Sequence, residues 1–472
     1  MAPAAMTMRM LRFAAGAIIL SGCSDDPTGN LGKRPATVGN AVVTANPHNV
    51  LSAIVLVAVD DGDSVAVVVQ RADSLLSVDT SAAVAANQGP TVIPVLGLRP
   101  STTYMIRPIA WAGEQVTRAE HVVQFTTGDL PADIPSYSAR GSDPSRGFVI
   151  FATGPYAIAI DNSGRVVWYR RFSGSAGLAF VAQADGRYYA RPTTTDPSDL
   201  EHWTELDALG NIVRTLPCDD GLVSRPHDLI VRADGSYWLM CDDTREVDLS
   251  GDGGVASAKV TGTAIQHLSR DGRVLFQWSP FDHLKVTDLD PSLRGGSNVN
   301  WTHGNALDID AEGNIMISFR NLEEITRINS TTGSVISRLG GRKNQFSLED
   351  SPNPPFAQQH SARFISANEI ILLDNVGNPG ETRAERYAVD RSTMTARLTA
   401  SYGSAPGVVT AIGGSVQSLL GGRVLVSFGT AGRVQEYDDT GRVAWEIEGN
   451  PGYVFRAQRI SSLYTPGVGT SR

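Results

Sequence analysis

The sequence of 472 residues holds only three cysteines, so no disulfide scaffold can organise it. Aromatic residues make up 7% and charged residues 19%, against 42% hydrophobic residues. Such a chain is too apolar and too weakly charged to stay disordered. No uninterrupted apolar run of about 18 residues or more occurs, which excludes a multi-span helical membrane protein. Glycine does not recur at every third position, which excludes collagen. Basic residues do not exceed acidic ones: 40 Lys and Arg stand against 49 Asp and Glu, a net −9, whereas a nucleic-acid binder normally carries a basic excess. Neither Gly-x-x-x-x-Gly-Lys-Ser/Thr nor Gly-x-Gly-x-x-Gly appears, so no phosphate-cradling loop is visible and no cofactor is expected. The stretch Asp248–Gly253 begins as a calcium loop does, but its twelfth position is Lys259 where a Glu is needed; it reads as a turn, and no metal is expected. Histidine is scarce too, with eight in the chain. Turn formers are plentiful, at 47 Gly and 25 Pro. The composition is that of a turn-rich globular protein of two or three domains.

Residues 1–22 read as an export signal. Arg9 and Arg12 precede the apolar run Phe13 to Leu20, which is too short to span a bilayer. Leu20-Ser21-Gly22-Cys23 resembles a bacterial lipobox, in which the Cys is acylated and becomes the mature N-terminus. Ser24 after Cys23 fits the outer-membrane sorting pattern of Gram-negative lipoproteins. The expected location is therefore an exported, lipid-anchored one, facing the periplasm or the cell surface. Processing before Cys23 removes two Arg and takes the net charge from −9 to −11. Export would leave Cys218 and Cys241 in an oxidising compartment, where they either pair or remain two buried thiols.

Residues 23–35 are a polar tether. Residues 36–128 read as short strands, Ile54 to Val59, Val65 to Gln70, Tyr104 to Ala110 and His121 to Thr126, separated by Gly, Pro and Asp. Leu98 to Tyr104 resembles the tyrosine corner of a fibronectin type III β-sandwich, a fold expected here to act as a spacer. Residues 129–145, with Pro131, Pro135 and Pro144, read as a linker. From residue 146 to 472 a repeat takes over. Turns ending at Gly164, Gly210, Gly272, Gly333 and Gly441 are each followed by an alternating strand and lie 46, 62, 61 and 108 residues apart. The longest gap leaves room for a degenerate unit at Asp390. A second series, Asp185-Gly186, Asp234-Gly235, Glu312-Gly313, Asn368-Glu369 and Gly421-Gly422, interleaves with the first. Two hairpins per unit make a four-stranded antiparallel sheet, and the expected architecture is all-β, a six-bladed β-propeller behind the sandwich.

Three histidines fall into the repeat. His227 precedes the turn at Gly235 by eight residues, His360 precedes Asn368 by eight and His303 precedes Gly313 by ten. A difference of two preserves the strand face. The three should start the first, innermost strand of consecutive blades and converge on the axis. His48, His121, His202, His267 and His283 follow no pattern and read as packing or surface residues. Asn305 shares the face of His303. Arg320 ends the next strand, where its planar fork suits an oxyanion.

Trp301-Thr302-His303-Gly304-Asn305, the strand to Arg320, Gly340-Gly341, Gln359-His360, Asp374-Asn375, Arg383 to Tyr387 with Asp390, and Pro226-His227-Asp228 together resemble the bacterial arylsulfate sulfotransferases over roughly residues 140–450. The resemblance implies a six-bladed propeller that moves a sulfuryl group from a phenolic sulfate ester to a phenol acceptor without a nucleotide donor, by ping-pong kinetics through a sulfohistidine. It implies His360 as the nucleophile and His227, His303, Asn305 and Arg320 as the other sulfuryl-site residues. The lipobox departs from better-known soluble relatives, and the aromatic residues that grip substrate in the family cannot be placed. On this reading a protonated imidazole protonates the departing phenolate, and Arg320 and Asn305 donate to the sulfuryl oxygens. Two other functions fit the same histidines: a metal-dependent hydrolase with a three-imidazole site, and a non-catalytic surface propeller that binds a ligand.

Overall fold

The computed structural model describes residues 34–466 except 75, 194–200, 351, 353 and 378–379. The expected signal segment and Cys23 lie outside the described residues. Among the described residues every long element is a β-strand, with short 3-10 turns between them and no α-helix.

The N-terminal part comprises two sheets. Ala53–Asp60 pairs with Thr37–Val38, Val42–Ala45 and Pro90–Val95, and Ser64–Arg71 pairs with Thr103–Ala112. Alternation directs Val55, Val57, Val65, Val67, Ile93 and Ile106 into one core. The Tyr104 hydroxyl accepts the Arg99 N–H at 2.8 Å. This part is packed on the next one: Leu51 joins the core of Phe151, Tyr156 and Trp445, and Asn46 donates to the Leu209 carbonyl at 2.8 Å.

The described residues from 139 to 460 form six consecutive, mainly antiparallel sheets, a propeller-like arrangement in which Asn298–Asn300 and Ser347–Glu349 add parallel edges. The turn glycines of the repeat, Gly164, Gly210, Gly235, Gly272, Gly313, Gly333 and Gly441, all take φ between +73° and +88°, where a side chain would be strained. The recurring tryptophan of the outer strand has a defined job. Trp168, Trp278 and Trp445 are fully buried, and each donates its indole N–H to a turn of the following sheet, at Ala208, Gly333 and Asn162 respectively. Trp445 thereby reaches from the last sheet to the first. Two strand pairings also close the circle: Ala457–Ile460 pairs with Phe148–Thr153, and Val443–Ile447 pairs with Ala139–Gly141. The segment 129–145, expected as a linker, thus supplies a strand. Gly141 is needed there, since a Cβ would lie 2.4 Å from the Ala444 carbonyl oxygen.

The innermost strand of each sheet runs beside its neighbours without sheet pairing. Side chains bridge them instead. Gln183 donates to the Leu229 carbonyl, Asp228 accepts the Leu307 N–H, Asp308 accepts the Phe364 N–H, and Ser361 accepts the Val416 N–H. Gln417 accepts the Arg459 N–H, and Gln458 accepts the Ala182 N–H to complete the ring. Every link spans 2.7–3.1 Å.

Cys218 and Cys241 form a disulfide with a Cα–Cα distance of 6.2 Å and a sequence separation of 23. It ties the approach to the strand Val223–Val231 onto the adjacent strand Tyr237–Val247. Loop-closure entropy for a loop of that size corresponds to about 3 kcal/mol. Reduction, or the double change Cys218→Ser with Cys241→Ser, should lower the unfolding free energy by about that amount in guanidinium titrations. An unchanged midpoint would show that the crosslink constrains little.

Candidate functional site

Three strand starts carry the histidines. His227 lies in Val223–Val231, His303 immediately precedes Gly304–Ile309, and His360 opens His360–Ser366. In each case the ladder to the neighbouring strand shifts register at that point, between Ser224 and Leu229, between Gly304 and Ala306, and between His360 and Arg363. Such shifts re-aim side chains at the rims of sheets. The backbone is also held in the left-handed region at His303 (φ +49°), Gln358 (+51°) and Ser361 (+56°), which costs of order 1–3 kcal/mol per residue and persists only where the surroundings enforce it.

The imidazoles converge. The rings of His227 and His303 lie 5.1 Å apart at 65°, and the Phe455 ring stands 5.6 Å from His227 and 6.0 Å from His360. His227 and His360 are buried. The tautomer of His360 follows from its partners. Its Nδ1 faces the Gln358 carbonyl at 3.0 Å and Asn375 Oδ1 at 2.8 Å. The Asn375 amide nitrogen donates to the carbonyls of Thr410 and Gly413, which assigns its oxygen to the histidine. Both partners of Nδ1 are acceptors, so Nδ1 carries the proton and Nε2 keeps its lone pair. His303 is the opposite case: its Nδ1 faces the Asn300 amide nitrogen at 2.7 Å, which leaves the proton on Nε2. One nucleophilic nitrogen and one N–H donor are thereby set out in a single cluster.

Arg320 follows the strand Ile315–Phe319 and is half-buried. Its backbone N–H bonds the His303 carbonyl, and its guanidinium donates to Asn321 Oδ1, Gln358 Oε1 and the Ala411 carbonyl. Asn305 occupies a different place from the one its strand position suggests. It is fully buried, and its amide donates to the Gln359 carbonyl at 2.7 Å, bracing the segment that leads into His360. Of the patternless histidines, His267 stacks on Trp238 and His283 on Trp278, while His121 is exposed.

Burial lowers all three histidine pKa values. His360 is pushed down to about 4 by burial, with Asn375 opposing and Arg320 reinforcing the shift. His303 falls to about 3 through burial, then Arg225 and Arg320. His227 lies well below the usual value through burial, then Arg225, His303 and His360. The cluster therefore holds neutral imidazoles beside two guanidinium ions. Among the described residues no group of three or more His, Cys, Asp or Glu is arranged to hold a metal ion. Arg225 and Phe455 have no motif of their own, and Asn375 stands in the Asp374-Asn375 motif with no role assigned to it by the sequence. Arg225 lies two residues before His227, the one hint the sequence carried. Next to Phe455 a cavity of about 480 Å³ is lined by Pro226, Leu178, Tyr453, Arg191 and Glu201 among others.

The His360 ring should titrate near pH 4, well below the ordinary 6.5, when its Cε1 proton is followed by NMR. In Asn375→Ala the midpoint should fall further, because a bond that favours the charged ring is lost. A wild-type midpoint at or above the ordinary value would contradict this geometry.

Residues 220–450 match the family described as Arylsulfotransferase (ASST), which bears out the resemblance read from the sequence. No curated protein matches the chain. Similar solved structures are distant. They include a protein of unknown function from Bacteroides caccae (11% identity, TM-score 0.42, covering 66% of this chain and 98% of that one) and a streptogramin B lyase (13%, 0.38, 66% and 84%). The virginiamycin B lyase of Staphylococcus aureus is a third (10%, 0.36, 66% and 88%).

Proposed function

Starting from an arylsulfotransferase-family domain at residues 220–450, we propose that the protein is an arylsulfate sulfotransferase. It moves a sulfuryl group from a phenolic sulfate ester to a phenol through a sulfohistidine at His360, with ping-pong kinetics. The six sheets are read as six blades, and residues 36–128 as a fibronectin type III-like spacer. The leader and Cys23 are assigned to export and lipid anchoring, with the outer membrane as destination.

The observation that carries the reading is the state of His360: neutral, its Nδ1–H tied to Gln358 and Asn375, its Nε2 lone pair unspent, with Arg320 in the same cluster. Sulfuryl transfer resembles phosphoryl transfer, in which positioning and electrostatics dominate. In the first half, Nε2 of His360 forms a bond to sulfur as the S–O bond to the phenol breaks. The departing oxygen takes its proton from an imidazole N–H, for which His303 Nε2 and His227 are placed. Arg320 donates to the sulfuryl oxygens. In the second half, the acceptor phenol gives its proton to the same imidazole and its oxygen takes the sulfuryl group, which regenerates His360.

The donor must be reconsidered in one respect. The sequence suggested an imidazolium, yet burial favours the neutral form of these rings. A bound sulfate ester brings negative charge into a desolvated cluster, and an opposite charge nearby raises a histidine pKa. Proton uptake then accompanies donor binding. The aryl ring is assigned to the cavity beside Phe455 and Tyr453.

Mass spectrometry after exposure to a chromogenic aryl sulfate, without acceptor, should find one added sulfuryl group on the peptide containing His360. A phenol should then remove it. His360→Ala should take up none, and Arg320→Met should slow uptake roughly a hundredfold to a thousandfold. Acceptor-independent release of phenol in steady state, or label elsewhere, would sink the reading.

A further inference from the structure

Asp228 bonds to all three histidine-bearing strands. It follows His227 in its own strand. Its Oδ2 accepts the N–H of Leu307 at 2.9 Å, the fourth residue of the strand that follows His303. The same oxygen accepts Arg363 Nη2 at 2.6 Å, from the strand that His360 opens. Its Oδ1 accepts Arg456 Nη1 at 2.8 Å, and Arg456 returns to the His227 carbonyl at 3.0 Å. The carboxylate is 4% exposed and the Arg456 side chain 9%. Burial alone would push the carboxyl up, but Arg363 and Arg456 outweigh it and hold it below the ordinary value.

A bridge between inner strands needs no charge. Gln183, Ser361, Gln417 and Gln458 make the corresponding links with neutral side chains, and Asp308 makes one with a carboxylate, whereas the Asp228 link draws in two guanidinium ions, those of Arg363 and Arg456. Burying a carboxylate with two guanidinium ions is costly by comparison, so the charge at this position has a further task. We infer that Asp228 is a positioning residue for group transfer, fixing the three histidines relative to one another and offsetting one of the two arginine charges behind them without touching substrate. This rests on the proposed reaction for its rate readout, but not for its electrostatic one.

The charges that face the histidines are Arg225 and Arg320 on the side of His303, Arg456 on the side of His227 and His360, and the histidines themselves. Asp242 pairs with Arg225, and Glu323 lies near Arg320. Asp228 with Arg363 and Arg456 completes the set. Removing the carboxylate leaves two uncompensated cations, which disfavour protonated imidazole. Removing Arg363 leaves Asp228 matched one-to-one by Arg456, one positive charge fewer than before, which favours it.

The test compares Asp228→Asn and Arg363→Met in the full-length protein, with circular dichroism as a folding control. Asp228→Asn should slow sulfuryl uptake about a hundredfold, the cost of a small misplacement of reacting groups, with little change in donor KM. Its histidine titrations, read by NMR, should move to lower pH, and those of Arg363→Met to higher pH. Shifts in the same direction, or none, would reduce Asp228 to an ordinary strand link and overturn the inference. Should Asp228→Asn not fold, the direction in Arg363→Met, whose side chain is 23% exposed, decides alone. Opposite shifts in a protein that takes up no sulfuryl group would uphold the electrostatic role and reject the reaction instead.

Discussion

Sheets arranged around an axis leave their inner strands side by side but unpaired, and the exposed backbone groups there must find partners or cost free energy. This protein meets the constraint with side chains. Gln183, Asp228, Asp308, Ser361, Gln417 and Gln458 each bond to the backbone of an adjoining inner strand, and the last link returns to Ala182, beside the Gln183 that makes the first. The outer circumference repeats the device with indole N–H groups, of which Trp445 closes last sheet onto first. Each bond is worth only about 1 kcal/mol net. Their effect is to fix the rotation of one sheet against the next, and the site needs that, because its histidines come from separate sheets.

The ring links and the catalytic candidates are neighbours in sequence. His227 is followed by Asp228 and His360 by Ser361, so the residue that fastens a strand adjoins the residue it presents. Gln358, Ser361 and His303 hold left-handed backbone at the same places. Strain of that kind needs rigid surroundings, and the ring provides them. Stability and function are coupled here through geometry: loosening one link moves an imidazole relative to its partners before it unfolds a sheet.

Much of the repeat was legible because period-two strands and positive-φ glycines leave a local mark. The glycines at 164, 210, 235, 272, 313, 333 and 441 were visible as turns, and the register of His227, His303 and His360 survived the translation to space. What escaped had its cause far away in the chain. The strand Ala139–Gly141 lies in a proline-bounded stretch and exists because Val443–Ile447 offers it an edge. Asn305 shares a strand face with His303, yet the register shift after Gly304 turns it onto the Gln359 carbonyl. Phe455 and Arg456 sit some 95 residues beyond His360 and enter the cluster only because the last strand closes the circle. The lone pair on His360 depends on Asn375, whose orientation is set by two carbonyls in the 410–413 segment; no spacing rule encodes that.

Net charge is the last term to settle. An acidic chain at −9 would repel an anion at long range, but fields between exposed charges fade within about 10 Å at ordinary salt. Inside the cluster the relevant charges are Arg225 and Arg320, with Arg363 and Arg456 half offset by Asp228, while burial keeps the imidazoles neutral. A site built this way carries its standing positive charge on arginine alone. In the proposed reaction the imidazoles add to it as an anion arrives, because a nearby negative charge raises a histidine pKa and a proton follows. That proton is the one the leaving phenolate requires, so burial of the histidines couples substrate binding to readiness for transfer, and release of product returns the imidazoles to their neutral state.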